Sequence, residues 1–391
     1  MKLFGYAVAV AIGLQVVAMN VPVSAHDDDE RGGQGNSKSG KHLFERDTYG
    51  GNGRTCSTCH SEATGTVSPD DAQRRYARNP GDPLFVHDGS DDFQGNGVSR
   101  MLRDATVLVE IPLPPNVALA DDPAARSVIL RRGIPTTLNT AALDPVLMFD
   151  GRHATLEAQA MAAIHDHAQA GGGPNARQLE RLVAFEKSDA FFSSPALRRF
   201  ADHGPAPVLP EGVTASEIRG KRFFDDVVDF SDFKHGACAA CHSGPMLNET
   251  NDFAQLVFGL PKGTRFQTVG VSELNALQNP VRDFIFTSRD GTTSHVVSPD
   301  PGRALITGIA PTEDALHENV NAFKTPTLWG VDRTAPYFHD NSARTLADVA
   351  AHYNVFFSFT SDPDGPGPLP PVLSLTEQDQ ADIVDYMKLL K

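Results

Sequence analysis

Residues 56–60 read Cys-Ser-Thr-Cys-His, and residues 238–242 read Cys-Ala-Ala-Cys-His. The pattern C-x-x-C-H is the attachment signal for c-type haem, because two thiols one helical turn apart can each add to a vinyl group while the adjoining histidine faces the iron. All four cysteines of the chain fall in these motifs, so none is left for a disulfide. The motifs predict two covalently bound haem c groups held by Cys56, Cys59, His60, Cys238, Cys241 and His242.

Two other kinds of site also use paired cysteines. A zinc site is disfavoured because the two pairs lie far apart in sequence and each carries its own trailing histidine. A thioredoxin-like redox motif needs only one pair, set in a βαβ pattern that the sequence does not show. Two complete pentads are also very improbable by chance, which leaves two-haem binding as the interpretation.

The segments around the motifs repeat. Residues 40–45 (GKHLFE) precede the first motif, and residues 220–225 (GKRFFD) precede the second. Downstream of each motif, a P-T-L segment is followed, twelve residues after its leucine, by an aspartate, at Asp150 and Asp340. Because repeated units fold alike, each half is predicted to be one haem-binding unit with the same plan.

The predicted fold class is mainly α, with two tandem cytochrome c-type haem domains related by internal duplication. Apolar residues recur with helical period at 156–164, 178–185, 346–353 and 378–390, and residues 214–217 (TASE) form a capping box that opens a further helix. Strand signals are sparse. The predicted divisions are a signal peptide at 1–25, a disordered acidic linker at 26–39, an N-terminal haem c domain at 40–200, a linker at 201–213 and a C-terminal haem c domain at 214–391.

The N-terminus and the charge bear on location and partners. Lys2, the apolar stretch 3–17 and the small residues 23–25 have the pattern of a cleaved signal peptide. We therefore expect an exported, periplasmic protein without a membrane span after cleavage; an uncleaved anchor is the alternative. The formal net charge of −15 argues against nucleic acid as a partner, because phosphate binding needs a basic face.

Two further segments carry a family resemblance. Residues 323–340 (FKTPTLWGVDRTAPYFHD) and residues 148–160 (MFDGRHATLEAQA) resemble the bacterial di-haem cytochrome c peroxidase and MauG superfamily. The resemblance implies that the N-terminal haem reacts with hydrogen peroxide at an open or openable sixth position. It also implies that the C-terminal haem is six-coordinate and relays electrons.

The resemblance assigns further ligands. Tyr353 lies 19 residues after Thr334, where MauG-like members place a tyrosine as sixth ligand of the second haem and peroxidases place a methionine. The alternative for Tyr353 is a tyrosine packed in the core. Thr334 and Pro336 fall where backbone oxygens hold a calcium ion, although Gly133 replaces the asparagine that normally adds a side-chain ligand.

The sequence also departs from the family pattern. Phe149 stands where a tryptophan is usual between the haems, and the one tryptophan of the chain is Trp329. The distal glutamate of the family corresponds to Gln169, which cannot act as a general acid or base. His165 and His167 are therefore candidates for the distal pocket of the first haem, as proton-transfer groups or as a sixth ligand, with ordinary surface histidines as the third interpretation.

Three other residues are candidates for roles near the haems. His87 is a candidate ligand of the first iron, although it lies later than the family places one. Arg152 would hold a haem propionate or form a structural salt bridge. His339 is expected to make a buried hydrogen bond near the second haem.

The predicted function is that of a periplasmic di-haem c-type oxidoreductase that uses hydrogen peroxide. Its partner would be an electron-donor protein, either a small cytochrome or a cupredoxin, or else a protein substrate. Two alternatives stay open: an electron-transfer cytochrome without its own substrate, and an oxygenase-type enzyme that acts on an organic substrate.

Overall fold

The computed structural model describes residues 32–229, 231–274, 279–360 and 374–391. Its α-helices are, in chain order, α1 Gly32–Glu45, α2 Cys56–Cys59, α3 Pro69–Arg78, α4 Ser99–Asp104, α5 Thr140–Leu143, α6 Leu156–Asp166, α7 Ala176–Glu186, α8 Pro195–Ala201, α9 Ala215–Lys221, α10 Asp252–Phe258, α11 Val271–Leu274, α12 Ala304–Thr307, α13 Leu346–Thr360 and α14 Glu377–Met387. The four helices indicated by periodicity are thus confirmed as α6, α7, α13 and α14.

The described residues also form strands. These are β1 Thr106–Pro112, β2 Val117–Leu119, β3 Ser127–Gly133, β4 Phe266–Gln267, β5 Arg282–Thr287, β6 Thr293–Ser298 and β7 Phe323–Lys324. They build three antiparallel sheets, β1 with β3, β2 with β5 and β6, and β4 with β7. The expectation of a mainly helical chain with few strands is not confirmed, because β1 (TVLVEIP) and β3 (SVILRRG) are rich in residues that fit a pleated, half-buried surface.

In the first half, α1 crosses α7 at close range. Gly40 makes this possible, because a methyl group there would collide with the carbonyl oxygen of Arg181 and with the Cβ of Phe185. Phe44 fills the space beside the crossing, with its ring centroid 5.5 Å from that of Phe185 and 5.3 Å from that of Phe191. These rings belong to the buried cluster that supports the first motif.

The second half repeats this arrangement with α9 and α14. A methyl group at Gly220 would collide with the carbonyl oxygen of Asp382 and the Cβ of Tyr386. Phe224 packs against Tyr386 with the ring centroids 5.2 Å apart. Helix α9 begins with the predicted capping box, in which Thr214 Oγ1 accepts from the Glu217 N–H and Glu217 Oε2 accepts from the Thr214 N–H.

The two halves share elements. Strand β2 of the first half pairs with β5 of the second, and their buried side chains join those of β1 and β3 in one cluster. Arg132 at the end of β3 forms ion pairs with Asp150 and, across the halves, with Asp300, and all three are 1% exposed. Asn139 Nδ2 donates to the Trp329 carbonyl oxygen over 2.7 Å. Several independent contacts therefore fix the two halves against each other.

The predicted domain limits remain predictions. Residues 1–25 and 26–31 lie outside the described residues, and α1 begins at Gly32, inside the segment predicted to be a disordered linker. Residues 202–214, close to the predicted linker 201–213, contain no helix or strand. Among the described residues, no helix has the length and apolar character required to cross a membrane.

Candidate functional site

One cavity contains both C-x-x-C-H motifs. Its volume is about 900 Å³, at the upper end of the range of about 300–1,000 Å³ for small-molecule and cofactor sites. The motif residues on its wall are Cys56, Cys59, His60, Cys238, Cys241 and His242. The fold therefore brings together the two motifs that the sequence separates.

The four thiols are held in turns beside this cavity. Cys56–Cys59 form the single turn α2, with Thr58 Oγ1 accepting from the N–H of Thr55 over 2.9 Å. In each motif the histidine N–H donates to the carbonyl oxygen of the first cysteine, over 3.0 Å at His60 and 2.9 Å at His242. Burial raises the pKa of every thiol, to about 12 at Cys238. Thiol bodies facing an apolar cavity fit the edge of a porphyrin.

The two motif histidines are oriented alike. Nδ1 of His60 lies 2.7 Å from the carbonyl oxygen of Gly65, and Nδ1 of His242 lies 2.9 Å from that of Leu247. A carbonyl oxygen only accepts, so Nδ1 is the donor and Nε2 keeps its lone pair for a metal. Burial lowers the pKa of both imidazoles and favours this neutral form. The histidines therefore fit the axial position of a haem iron.

Tyr353 lies on helix α13 and lines the cavity together with the second motif. Burial raises the pKa of its phenol, and the nearby thiols of Cys241 and Cys238 raise it further. The neighbouring His352 is held elsewhere, because its Nε2 lies 2.8 Å from the carbonyl oxygen of Val269. Of these two side chains, Tyr353 is the one that lines the cavity at the second motif.

The three predicted distal residues separate in the structure. His167 lines the cavity that also contains His60; burial lowers the pKa of His60, and the charge of His167 lowers it further. The side chain of His165 is 81% exposed and pairs with Asp166 on the surface. Gln169 is exposed in a left-handed backbone conformation, and its Oε1 accepts from Asn52 Nδ2. The structure thus brings His167 to the cavity and leaves the other two outside it.

Asp88 is a partner of His167 that the sequence analysis missed. Nδ1 of His167 lies 2.5 Å from Asp88 Oδ2, and Arg54 forms a buried ion pair with Oδ1 of the same carboxylate. Burial alone would raise the pKa of Asp88, but the hydrogen bond from His167 and the charges of His167 and Arg54 hold it below its usual value. Arg100 Nη2 donates to the Asp88 carbonyl oxygen over 2.8 Å and so fixes the loop. The His167 ring is therefore held by an ionised, buried carboxylate.

Glu186 is a second residue that was missed. It is the last residue of α7, it is 5% exposed, and it lines the cavity near the first motif. Its Oε2 is buried and has no hydrogen-bond partner among the described residues, and the same holds for Oη of Tyr49. Burial raises the pKa of Glu186 to about 8. A carboxyl group with a raised pKa thus stands on the wall of the first half of the cavity.

The remaining candidates take the following places. Arg152 lines the cavity and forms an ion pair with Asp150 over 2.9 Å. His339 is buried on the same cavity and stacks on Phe323 with 3.5 Å between ring centroids. Phe149, which stands where the family usually has a tryptophan, also lines the cavity.

Two of the residues discussed in the sequence analysis, Trp329 and His87, do not line the cavity. Trp329 is buried and donates from Nε1 to the Pro245 carbonyl oxygen over 2.9 Å. His87 packs edge-on against Phe93, with the ring centroids 4.4 Å apart. Neither is among the residues that line the cavity.

The predicted calcium ligands belong to the cavity that contains both motifs. Thr334 and Pro336 both line the cavity. Among the described residues, no group of three or more His, Cys, Asp or Glu side chains comes together as a metal site. Calcium at the backbone oxygens of Thr334 and Pro336 stays a prediction.

Two haem-attachment motifs on one cavity, each with an oriented histidine, have the arrangement expected of a di-haem protein of the cytochrome c type. Residues 36–196 match the family described as di-haem cytochrome c peroxidase. These residues include the first motif, and the match confirms the resemblance to the di-haem cytochrome c peroxidase and MauG superfamily. Haem is the cofactor that this family implies.

Known proteins similar to the chain include cytochrome c551 peroxidase of Nitrosomonas europaea, which is 25% identical over 224 residues. That match covers 54% of this chain and 55% of the relative, so the chain spans about half of the relative's length. Among solved structures, a MauG-like protein associated with microbial copper homeostasis is 16% identical, with a TM-score of 0.49 and 95% of each chain covered. The diheme peroxidase BthA from Burkholderia thailandensis E264 is 15% identical, with a TM-score of 0.48, covering 91% of this chain and 86% of that one.

Proposed function

We propose that the chain is an exported, periplasmic di-haem oxidoreductase that reduces hydrogen peroxide at the N-terminal haem and receives electrons through the C-terminal haem. The observation that carries the proposal is His167, which lines the same cavity as His60 and is bound from behind by the buried Asp88 carboxylate. Peroxide reduction consumes two electrons and two protons for each molecule and releases two waters. A site for it needs a group that moves protons, and a carrier cytochrome does not.

The motif residues would hold the two haems. Cys56 and Cys59 would form thioether bonds to the first, and Cys238 and Cys241 to the second, with His60 and His242 as axial ligands through Nε2. A haem iron with an open coordination position supplies the electrons that break the oxygen–oxygen bond. The parallel hydrogen bonds of His60 and His242, and the matching helix crossings at Gly40 and Gly220, also support the proposed internal duplication.

His167 would move the proton. Because the ionised Asp88 carboxylate only accepts, Nδ1 of His167 donates to it, and Nε2 is left to take a proton from one peroxide oxygen and give it to the other. Asp88 and Arg54 act through His167 as positioning residues: they fix its tautomer and stabilise the imidazolium that forms. This arrangement supplies an acid–base group where the family's glutamate is replaced by Gln169.

Tyr353 would be the sixth ligand of the second haem. A phenolate oxygen is hard and anionic, so it stabilises the ferric state, whereas the thioether found in related peroxidases raises the potential. The electron donor would be a reduced small cytochrome or cupredoxin. The MauG-like alternative, in which the oxidising equivalent passes to a protein substrate, draws on the same tyrosine.

The second candidate function is an electron-transfer cytochrome without a substrate of its own. The same observation supports it, because a histidine that lines the same cavity as His60 has the chemistry of a sixth ligand and would close the first iron to peroxide. An oxygenase-type enzyme acting on an organic substrate is a third candidate, and no particular feature of the cavity favours it.

The test compares His167→Gln with His165→Gln, a matched change two residues away on the surface. Haem content is first checked on denatured protein, since covalent haem stays bound in acid–acetone. The reaction of the ferric protein with hydrogen peroxide is then followed by stopped-flow absorbance. Loss of a general acid–base group should slow it about 10²- to 10⁴-fold in His167→Gln and leave it unchanged in His165→Gln.

Other outcomes contradict the proposal. Equal rates in the two variants would show that His167 does not transfer protons in the reaction. A faster reaction in His167→Gln, with the first iron changing from low spin to high spin by magnetic resonance, would identify His167 as a sixth ligand and favour the carrier. Wild-type protein that does not react at all would also favour the carrier.

A further inference from the structure

We propose that Glu186 is the site that takes up a proton when the haem of the first motif gains an electron. The inference rests on the proposed function in one respect, since it requires a haem at Cys56 and Cys59. It does not depend on whether His167 reacts with peroxide.

The position of Glu186 is unusual for an acid. The side chain is buried at the C-terminal end of α7, it lines the cavity, and Oε2 has no hydrogen-bond partner among the described residues. Tyr49 lines the same wall with its Oη equally without a partner. A carboxylate buried in this way is costly unless it is neutralised, so the group is poised to hold a proton.

Glu186 lines the same cavity as Cys56, one of the two cysteines to which the first porphyrin would be attached. Burial raises the pKa of the Cys56 thiol most strongly, and the charge of Glu186 raises it further. The same carboxylate acts on Tyr49. A charge at Glu186 would therefore also act on an iron bound beside Cys56, because opposite charges interact strongly where water is excluded.

The groups that face Glu186 come from several elements. Burial, together with the charge of Glu157 on α6, raises the pKa of Glu186, and Lys187, which follows it in sequence, lowers it. Asp47 and Tyr49, from the loop after α1, line the same cavity wall, and Cys56 comes from α2. Lys187 is the one cation among these groups, so the balance around Glu186 favours the neutral carboxyl.

Electron and proton then move together. A one-electron reductant, such as a reduced c-type cytochrome, converts ferric to ferrous haem and so removes one positive charge from the cavity. The Glu186 carboxylate loses the attraction of that charge and takes one proton from solvent to become the neutral acid. Re-oxidation of the iron returns the proton to solvent. No bond to the iron is made or broken at Glu186.

The second half provides an internal comparison. Phe185 packs on Gly40 as Tyr386 packs on Gly220, so the residue that follows, Glu186, corresponds to Met387. Met387 is buried and lines the same cavity. The second haem therefore faces a thioether where the first faces a carboxyl, and its potential should not follow the titration of this position.

The test is a spectroelectrochemical titration of each haem from about pH 6 to about pH 9, a range that brackets the raised pKa of a buried carboxyl. The midpoint potential of the first haem should fall as the pH rises, with a slope approaching about 59 mV per pH unit, the value for one proton per electron. Glu186→Gln should flatten this slope, and the control Asp47→Asn should keep it. The midpoint potential of the second haem should be independent of pH in the wild type and in both variants.

The outcomes separate this inference from the proposed function. Protein without covalent haem would contradict the proposed function itself. A first haem whose slope survives in Glu186→Gln, or is lost in Asp47→Asn, would overturn the role of Glu186 while leaving the function standing. If Glu186→Gln fails to bind haem, the titration is repeated with Glu186→Met, which carries the residue found at Met387 in the second half. The redox difference infrared spectrum of the wild type must in any case show a protonated carboxyl appearing on reduction.

Discussion

The ion-pair network around Arg132 allows a prediction of magnitude. Arg132→Met removes the guanidinium that pairs with Asp150 and makes two hydrogen bonds, of 2.8 and 2.9 Å, to Asp300. Asp150 keeps Arg152 at 2.9 Å, but Asp300 loses its guanidinium partner in a site that is 1% exposed. Breaking a buried pair by removing one partner costs about 3–5 kcal/mol of the free energy of unfolding.

The stability that Arg132 contributes should decrease as the pH falls. Although burial alone would raise it, the charges of Arg132 and Arg152 lower the pKa of Asp150 to about 2, from an ordinary 3.8. A depressed acid adds stability that is present above its unfolded pKa and is lost as the pH falls through its folded pKa. That shift corresponds to roughly 2 kcal/mol for Asp150. The difference between wild type and Arg132→Met should therefore be largest above about pH 4 and shrink toward pH 2.

The assay is denaturant unfolding followed by far-ultraviolet circular dichroism, with both proteins at equal haem content. Arg132→Lys is the matched control, since it keeps the charge and loses the two-pronged geometry, and it should cost less than Arg132→Met. A loss below about 1 kcal/mol in Arg132→Met, the size expected for an exposed pair, would refute the reasoning. So would a difference that grows as the pH falls.

Three further predictions concern single residues, two on the cavity wall and one that holds a residue of the wall. Asp88→Asn should slow the peroxide reaction about 10²- to 10⁴-fold, because an amide donates to Nδ1 of His167 and selects the wrong tautomer; stopped-flow rates equal to wild type would contradict this. Glu186→Gln should unfold at a higher denaturant concentration than the wild type at pH 8. Because the pKa of Glu186 is raised from 4.5 to about 8 in the folded wild type, the wild type loses stability as the pH rises from 4.5 through 8. At pH 4 the two proteins should unfold at the same denaturant concentration. Tyr353→Phe should change the ferric absorption spectrum of the second haem alone, and unchanged spectra of both haems would make Tyr353 a packing residue.

What the sequence predicted well is local in the chain. A C-x-x-C-H motif is complete within five residues, and a capping box such as 214–217 within four, so neighbouring residues determine both. Helices α6, α7, α13 and α14 follow from a period of 3.6 residues that requires no knowledge of the fold. Tyr353 was found through a family resemblance, and its position on the cavity wall agrees with that expectation.

What it missed depends on contacts between distant segments. Asp88 meets His167 across 79 positions of sequence, and nothing near Asp88 marks it as the partner of a histidine. Glu186 stands in a helix where an exposed acid would satisfy the same periodicity, and only the burial of that face makes it unusual. Gln169 was assigned by counting from the family pattern, but its left-handed backbone and its bond to Asn52 direct it to the surface.

The pairing of β2 with β5 has a consequence for how such a chain is assembled. A nascent first half leaves the ribosome with β2 lacking its neighbour, and that edge stays unpaired until β5 has been synthesised. A porphyrin attached before the second half has folded would therefore sit on an incomplete first half, because the shared cavity closes only when both halves are in place. The two halves resemble a duplicated unit in their helix crossings, but the pairing of β2 with β5 makes the folding of each half depend on the other.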